Sequence, residues 1–450
     1  IVLQPKILTV KQLEDDYSNL KGPVPEILGE KLEIGKNFSL KSSLKSVNCQ
    51  SKHCLTIGSY GSFLKRLEND PMYIHKFKIV ILDEIHEDAP EVIDLLLYLY
   101  YNKNKELPMI ILTSATLLLA KFDRYFDIPL NNHYMVEGKS YKKDILYEKN
   151  DILNTINEII NKLKFIINND KLKYDILIFI SSGKEIIDLK KKLSEMTETK
   201  DSVNDIEIIG ITRDIITKLD NDYKLYLTNN ENRDLNTRKR QIIIGTNATE
   251  TGITINNLKY VINIGFENKS EYIPYLNGNV LYKSPISLSS ETQRNGRVGR
   301  LFEGIAYNLY TEDAKKKLNL HRYPSLITSN FSMQLLKKFN KIKYIEEIPI
   351  ELIYDAVYTL YILGFIDLKD KYNIENLYDC ISYTYETGYI VDGEISYIGE
   401  MAKTILNTVD NLDDELLNLN DIKLILLCVY FNIDLTEIVT IIVMSKLYKG

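Results

Sequence analysis

The sequence predicts an α/β fold class: tandem domains, each a mostly parallel sheet covered by helices, followed by a mainly helical region. Three observations in the 450-residue chain carry that expectation. Short apolar, β-branched runs alternate with stretches of helical spacing through the first third. A polar stretch at 131–141 interrupts the alternation, which then restarts. From about Glu312 onward the pattern turns helical, with apolar residues at helical spacing in 352–363 and 422–429.

Taken in order, apolar runs at 1–3 and 7–10 bracket a Gln4-Pro5-Lys6 turn, and Ile1 lies inside what reads as a strand. Residues 77–82 are almost all apolar and rich in β-branched side chains, so they read as a buried strand, and 109–112 read the same way. After the polar stretch come a helix over 152–167, a strand over 175–180 and a helix over 185–196. Strands over 241–244 and 260–264 complete the second α/β unit.

Composition bounds what this chain does. With 45% hydrophobic and 26% charged residues it can bury several cores, which excludes a disordered chain. Four cysteines exclude a disulfide scaffold and favour a reducing, intracellular setting. No apolar run approaches the ~20 residues of a membrane helix. The 56 basic residues against 62 acidic ones disfavour a nucleic-acid coat but leave room for an enzyme with a local basic channel. The 32 Tyr, the absence of Trp and the many Ile, Asn and Lys are what an AT-rich genome encodes. Because residue 1 is Ile and not Met, the chain is expected to be a piece of a longer protein.

Three constellations carry chemistry. The first is the strand 77–82 running into Asp83, Glu84 and His86. At the carboxyl end of a parallel strand such groups face the ligand crevice. One carboxylate there suits Mg²⁺ and the other suits a water poised to attack a γ-phosphate. Alone, the motif is as readily an ordinary acidic loop. The second is a strand ending in Ser114-Ala115-Thr116, two hydroxyls around a small residue that suit a hinge; alone it reads as a polar turn. The third is Gln293-Arg294-Asn295-Gly296-Arg297-Val298-Gly299-Arg300. Read as a helix, it puts Arg297 and Arg300 on one face, where two guanidiniums suit a triphosphate.

These three motifs, in this order, resemble motifs II, III and VI of superfamily 2 DExH helicases, and within them the DEAH/RHA RNA helicases and the poxvirus NPH-II-type enzymes. Gln4-Pro5-Lys6 resembles motif Ia, Thr56-Ile57-Gly58 motif Ib, and 176–182 motif IV. Gly245-Thr246-Asn247 through Glu250-Thr251-Gly252-Ile253-Thr254 resembles motif V. The resemblance implies two RecA-like domains (the P-loop NTPase fold) over 1–133 and 134–315. A winged-helix domain over 316–396 and the start of a ratchet domain over 397–450 would follow. It implies ATP or another NTP with Mg²⁺ as cofactors and RNA as partner, with 3′-to-5′ duplex unwinding as the activity. Asp83 and Glu84 would be the metal and water residues. His86, Gln293, Ser114 and Thr116 would couple the cleft to the RNA channel. Arg297 and Arg300 would reach the phosphates, and Gly252 and Thr254 would lie near the nucleotide. Pro5, Lys6, Thr56, Gly58, Thr246 and Asn247 would line the RNA backbone.

The chain also departs from the family pattern. Motif I is absent; Gly35-Lys36, Gly138-Lys139-Ser140 and Gly183-Lys184 each lack part of G-x-x-x-x-G-K-[ST], so the P-loop is expected before Ile1. Motif V reads Asn-Ala-Thr-Glu-Thr-Gly, and Asn256 stands where an Asp often contacts a ribose. Motif II lacks the basic residue that DEAH proteins place soon after the His, which is closer to viral enzymes. A large DNA virus, with action in the cytoplasm, at a viral replication site or in the virion, and not secreted, is the expectation. Asn277-Gly278 within 272–282 predicts a hairpin, which in the family helps part strands. Tyr226 is a possible stacking residue for a base, though a core position suits it better. Cys49, His53 and Cys54 have poor spacing for zinc and read as free or buried thiols. A DNA helicase of the same superfamily and an inactive RNA-binding scaffold are the alternatives.

Overall fold

The computed structural model describes residues 1–5, 10, 26–27, 30–31, 38–41, 46–48, 50, 54–87, 89–114, 119–136, 141–150, 152, 154–198, 206–211, 235–236, 238–250, 255–273, 278–322, 325–328, 330–345, 347–409 and 417–447.

The first sheet contains β1 (Val2–Gln4), β2 (Phe38–Lys41), β3 (Ser46–Val47), β4 (Leu55–Ser59), β5 (Ile79–Leu82) and β6 (Met109–Leu112). Their spatial order is β3-β2-β4-β1-β5-β6, parallel except for the short β3. Helices α1 (Tyr60–Asn69), α2 (Pro90–Asn102) and α3 (Leu119–Phe126) accompany it. Pro90 opens α2 at the position where its missing N–H costs nothing. Leu95, Leu96 and Leu99 of α2 then bury against Leu3, Val80 and Leu82. One expectation needs correcting. Strands β5 and β6 are not buried on both faces, since Ile79, Met109 and Ile111 are 43%, 64% and 38% exposed. Strand β6 lies at the sheet edge, and this face has no cover among the described residues.

The second sheet contains β7 (Lys143–Glu148), β8 (Asp175–Phe179), β9 (Ile206–Ile211), β10 (Arg240–Gly245), β11 (Leu258–Asn263) and, after the motif VI turn, the strand Gly304–Thr311. Between β11 and that last strand, β12 (Phe266–Ile273) and β13 (Gly278–Pro285) form a separate antiparallel hairpin, and the last strand is β14. The all-parallel order is β9-β10-β8-β11-β14-β7. The central strands β8 and β10 are buried on both faces, which is why they read as continuous Ile-rich runs, whereas the edge strand β7 is largely exposed. Helix α4 (Thr155–Asn169) is capped by Asn154 and buries Ile159, Leu163 and Ile166, three positions of one helical stripe. Helices α5 (Gly183–Glu198) and α6 (Leu288–Asn295) complete the layer.

The remaining unit holds α7 (Phe331–Lys337), α8 (Ile350–Ile362), β15 (Ile366–Leu368), β16 (Ile381–Thr384), β17 (Gly388–Val391), β18 (Gly393–Ile395), α9 (Tyr397–Val409), α10 (Leu419–Tyr430) and α11 (Leu435–Leu447). Two small antiparallel pairs, β15–β18 and β16–β17, sit among the helices. Its core joins Leu335, Ile353, Leu360 and Phe365 to Ile93 and Leu97 of α2. Tyr100 and Tyr101 donate hydroxyls to the carbonyls of Glu386 (2.7 Å) and Thr387 (3.2 Å). Tyr125 donates to the Lys343 carbonyl. This unit and the first sheet's helices therefore share one packed interface. Among the described residues, no helix is long and apolar enough to cross a membrane.

Candidate nucleotide cleft and nucleic-acid interface

Asp83 leaves the end of β5 as the sequence predicts, and its neighbours hold it from three sides. Gln4 Nε2 donates to Asp83 Oδ2 at 2.7 Å, from the adjacent strand. Thr113 Oγ1, past the end of β6, donates to Asp83 Oδ1. The Glu84 amide donates to the same oxygen at 3.0 Å. Tyr60 Oη donates to the Asp83 carbonyl at 2.9 Å. Burial, with the charges of Asp83 and Glu84, pushes the Tyr60 hydroxyl well above its usual range, so it stays a donor.

Glu84 sits at φ +56°, a left-handed conformation rare for a residue with a side chain. The turn is pinned by Ile85 N to Thr113 O (3.1 Å) and Glu87 N to Glu84 O (2.8 Å). Such conformations persist only where surroundings over-determine them, and they cluster at functional sites. The Glu84 carboxylate is 36% exposed and lies 3.3 Å from the nearly buried His86 Nδ1. That nitrogen is also 3.1 Å from Ser114 Oγ, the tautomer setting which of the two donates. The two motifs predicted as coupled are thus in direct contact. Ala115, Thr116 and Asp88 lie outside the described residues.

The arginine motif differs from its expectation. Helix α6 ends at Asn295, and Gly296 to Arg300 form a turn, so Arg297 and Arg300 do not share a helical face. The reason is the pair of glycines. Gly296 caps the helix, and Gly299 at φ +77° turns the chain into a conformation that a Cβ would block, 2.3 Å from Lys143 Cγ. Arg297 points into the protein (5% exposed), while Arg300 lies at the exposed rim with Nε donating to the Gly296 carbonyl at 3.2 Å. Desolvation lowers the Arg300 guanidinium below its usual range, and the Glu84 carboxylate of the first sheet's lobe opposes that shift. Gln293 is half-buried on α6.

Arg294, which sequence reasoning gave no role, is fully buried. Its Nε donates to Glu250 Oε1 at 2.7 Å and its Nη1 to Asn263 Oδ1 at 2.9 Å, with the guanidinium over the Phe179 ring. This pair welds the motif VI helix to the motif V turn. Arg294→Met removes charge-assisted bonds from buried partners, while Arg322 still holds Glu250 through Oε2. The change is therefore expected to destabilise the protein by about 1.5–3 kcal/mol, measured by chemical denaturation. A stability unchanged from wild type would show that the pair is dispensable.

Of the residues expected along the RNA backbone, Thr246 is half-buried and Asn247 exposed, at the end of β10. Pro5 is half-buried beyond β1. Thr56 is buried in β4 with its hydroxyl 2.7 Å from Ser39 Oγ, and Gly58 packs its Cα side against Lys41. Lys6, Gly252 and Thr254 lie outside the described residues, as do Tyr226, Cys49 and His53. Cys54 is disulfide-bonded, which corrects the thiol expectation there; Cys380 and Cys428 are buried free thiols. The predicted hairpin exists and is longer than 272–282. Its strands pair in register from Phe266↔Pro285 to Ile273↔Gly278, and its tip, 274–277, lies outside the described residues.

Two parallel sheets, an acidic turn at a strand end of one and an arginine turn on the other, define a tandem RecA-like NTPase architecture. The model of the helicase conserved C-terminal domain matches residues 158–302, the second of these sheets. The African swine fever virus protein named "Putative RNA Helicase B962L" is 27% identical over 480 residues, covering 94% of this chain and 48% of that protein. A further isolate's copy is 27% identical over 355 residues, covering 73% of this chain. The solved Escherichia coli DEAH/RHA helicase HrpB shares the fold, with a TM-score of 0.64 at 19% identity, covering 89% of this chain and 46% of that one. The chain is thus similar to helicases in its second sheet and has the fold of a DEAH/RHA helicase. It spans about half the length of the curated relatives it matches.

Proposed function

We propose that this chain is the motor portion of an NTP-driven RNA helicase that moves 3′ to 5′ along one strand and unwinds duplexes, in the DEAH/RHA and viral NPH-II-like branch. The observation that carries the reading is the placement of Glu84 on the strained turn at the end of β5 and of Arg300 on the motif VI turn, near enough for the carboxylate's charge to act on the guanidinium. A water-activating carboxylate and a phosphate-seeking guanidinium stand each on its own RecA-like lobe within electrostatic reach, so lobe closure would assemble a hydrolytic site. RNA as the partner is supported by the name of the viral relative, an RNA helicase.

Asp83 fits a Mg²⁺ carried on the nucleotide. Its three hydrogen bonds orient both oxygens and leave acceptor capacity on Oδ2. The described residues contain no cluster of three metal-ligating side chains, which agrees with an ion held by one or two carboxylates plus phosphates. When bound, the ion neutralises phosphate charge. Asp83 would hold it, and Glu84 orients and deprotonates water. His86 carries the state of that site to Ser114, and Gln293 does the same from the second lobe. Arg297 braces the motif VI turn, and Arg300 reaches the phosphates with Gly252 and Thr254 near the nucleotide. Pro5, Lys6, Thr56, Gly58, Thr246 and Asn247 track the RNA backbone, partly through main-chain groups, fixing register without reading sequence. The β12–β13 hairpin parts the duplex. The third unit serves as a winged helix running into a ratchet.

The test is competition between RNA and DNA duplexes with 3′ overhangs in the complete protein with ATP. RNA is expected to unwind preferentially. Preferential unwinding of DNA would reassign the substrate, and nucleotide turnover without either would leave the motor reading standing alone.

A further inference from the structure

The β12–β13 hairpin forms its own two-stranded sheet and shares no ladder with the parallel sheet from which it projects. A two-stranded ribbon alone is marginally stable and has no fixed direction. Its aim comes from ties at its root, where the Ile286 amide donates to the Gly265 carbonyl at 3.0 Å and Arg294 Nη1 to the Phe266 carbonyl at 3.3 Å, and two side-chain pairs add to these. Lys283 Nζ donates to Glu185 at 2.9 Å on the exposed flank. The second tie is Arg322, from the segment that leaves the second sheet toward the third unit. Its Nη2 donates to Glu267 Oε2 on β12 at 3.1 Å and also to Glu250 Oε2 in the motif V turn. Glu250 is the carboxylate that Arg294 of the motif VI helix holds from the other side.

Four segments therefore meet on two carboxylates with a guanidinium between them. Desolvation raises Glu267 above the usual carboxylate range, with the Arg322 charge opposing that and the Glu250 charge adding to it. Desolvation also pulls the Arg322 guanidinium down, but the charges of Glu250, Glu267 and Glu87 outweigh it and hold it above its usual range. Glu87 belongs to the acidic loop of the first lobe, three residues past Glu84. Arg322 also lines a cavity of about 210 Å³ with Asn247, Lys269, Ser287 and His321, between the motif V turn and the hairpin root.

We propose that Arg322 is a positioning residue that clamps the root of the β12–β13 hairpin to the motif V turn, and so converts lobe closure at the acidic loop into a fixed aim of the hairpin. This rests on the helicase reading above. Glu87 of the acidic loop already acts on the Arg322 charge in this structure, beside the two carboxylates that Arg322 bridges, so parting of the lobes would weaken the pull on the clamp. When they part, the clamp slackens and the hairpin is free to swing. Both bonds leave the single Nη2 nitrogen; lysine keeps the charge but carries its donors on a flexible stem in place of the rigid guanidinium plane, so it restores only part of the clamp.

The experiment compares wild type, Arg322→Met, Arg322→Lys and Glu267→Gln in the complete protein. It measures ATP turnover, strands separated per ATP on a 3′-overhang RNA duplex, and hydrogen exchange of the amides in 266–285. Arg322→Met is expected to lower strands separated per ATP by roughly tenfold while RNA-free turnover stays within about twofold. Exchange should rise in 266–285 but not in 175–179 or 240–245. Lysine should recover part of both effects, and Glu267→Gln should reproduce the exchange change. Equal losses of turnover and separation, or exchange rising across the whole sheet, would reduce Arg322 to a general stabilising residue and overturn the clamp. A wild type that hydrolyses ATP without separating strands overturns the helicase reading and the link to strand separation. The exchange comparison then still decides whether Arg322 holds the hairpin.

Discussion

Glu84→Gln in the complete protein is expected to lower ATP turnover by about 10²–10⁴-fold, the usual worth of a positioned general base. Nucleotide and RNA affinity should stay close to wild type. Glutamine keeps the shape of the side chain, and the left-handed turn beneath it is held by main-chain bonds that the change does not touch. The amide can still hold a water but cannot take its proton. The two-part outcome separates a base from a structural acid: a structural role would lose binding and stability along with turnover. The measurement is steady-state phosphate release beside equilibrium binding of a fluorescent nucleotide. Turnover unchanged from wild type would remove Glu84 from the chemistry and favour the inactive-scaffold alternative.

Much of this site was legible in the sequence because its parts are local. An apolar β-branched run followed by two acids places Asp83 at a strand end, and the Ile-rich runs at 176–178 and 242–244 read as strands of a parallel sheet, which they form. Asn-Gly between apolar residues announced the hairpin. What stayed hidden is non-local. Gln4 reaches Asp83 across 79 positions, and Arg322 reaches Glu250 across 72 and Glu267 across 55, with no periodicity to betray either. Gln4 was readable within the motif Ia segment, but nothing in that segment names its partner. The arginine motif was misread for a local reason. Spacing of three positions invites a helix, but two glycines in four residues weigh against helix continuation, and that cost was the available signal. Strands β5 and β6 failed differently. Apolar composition cannot say whether both faces are covered, and here one is open.

The misreading of that turn sharpens which arginine does the work. Two guanidiniums on one helical face would be near equivalents, and either could be lost at modest cost. In the turn they are not equivalent. Arg297 is buried beneath the loop, whereas Arg300 stands at the rim where the Glu84 charge acts on it. Arg300→Ala is therefore expected to cost about 10³–10⁵-fold in turnover, as loss of an arginine finger does, with the folded state retained because an exposed side chain carries little packing. Arg300→Lys should recover only a small part, since the ammonium restores charge without the planar fork. Arg297→Ala should act chiefly through stability, lowering the melting temperature as well as turnover, because it empties a buried position next to Val298. The same pair of measurements, turnover against melting temperature, orders the two. If Arg297→Ala abolishes turnover at full stability and Arg300→Ala leaves it intact, the roles are reversed, and the lobes must close further than this structure shows to bring Arg297 out to the phosphates.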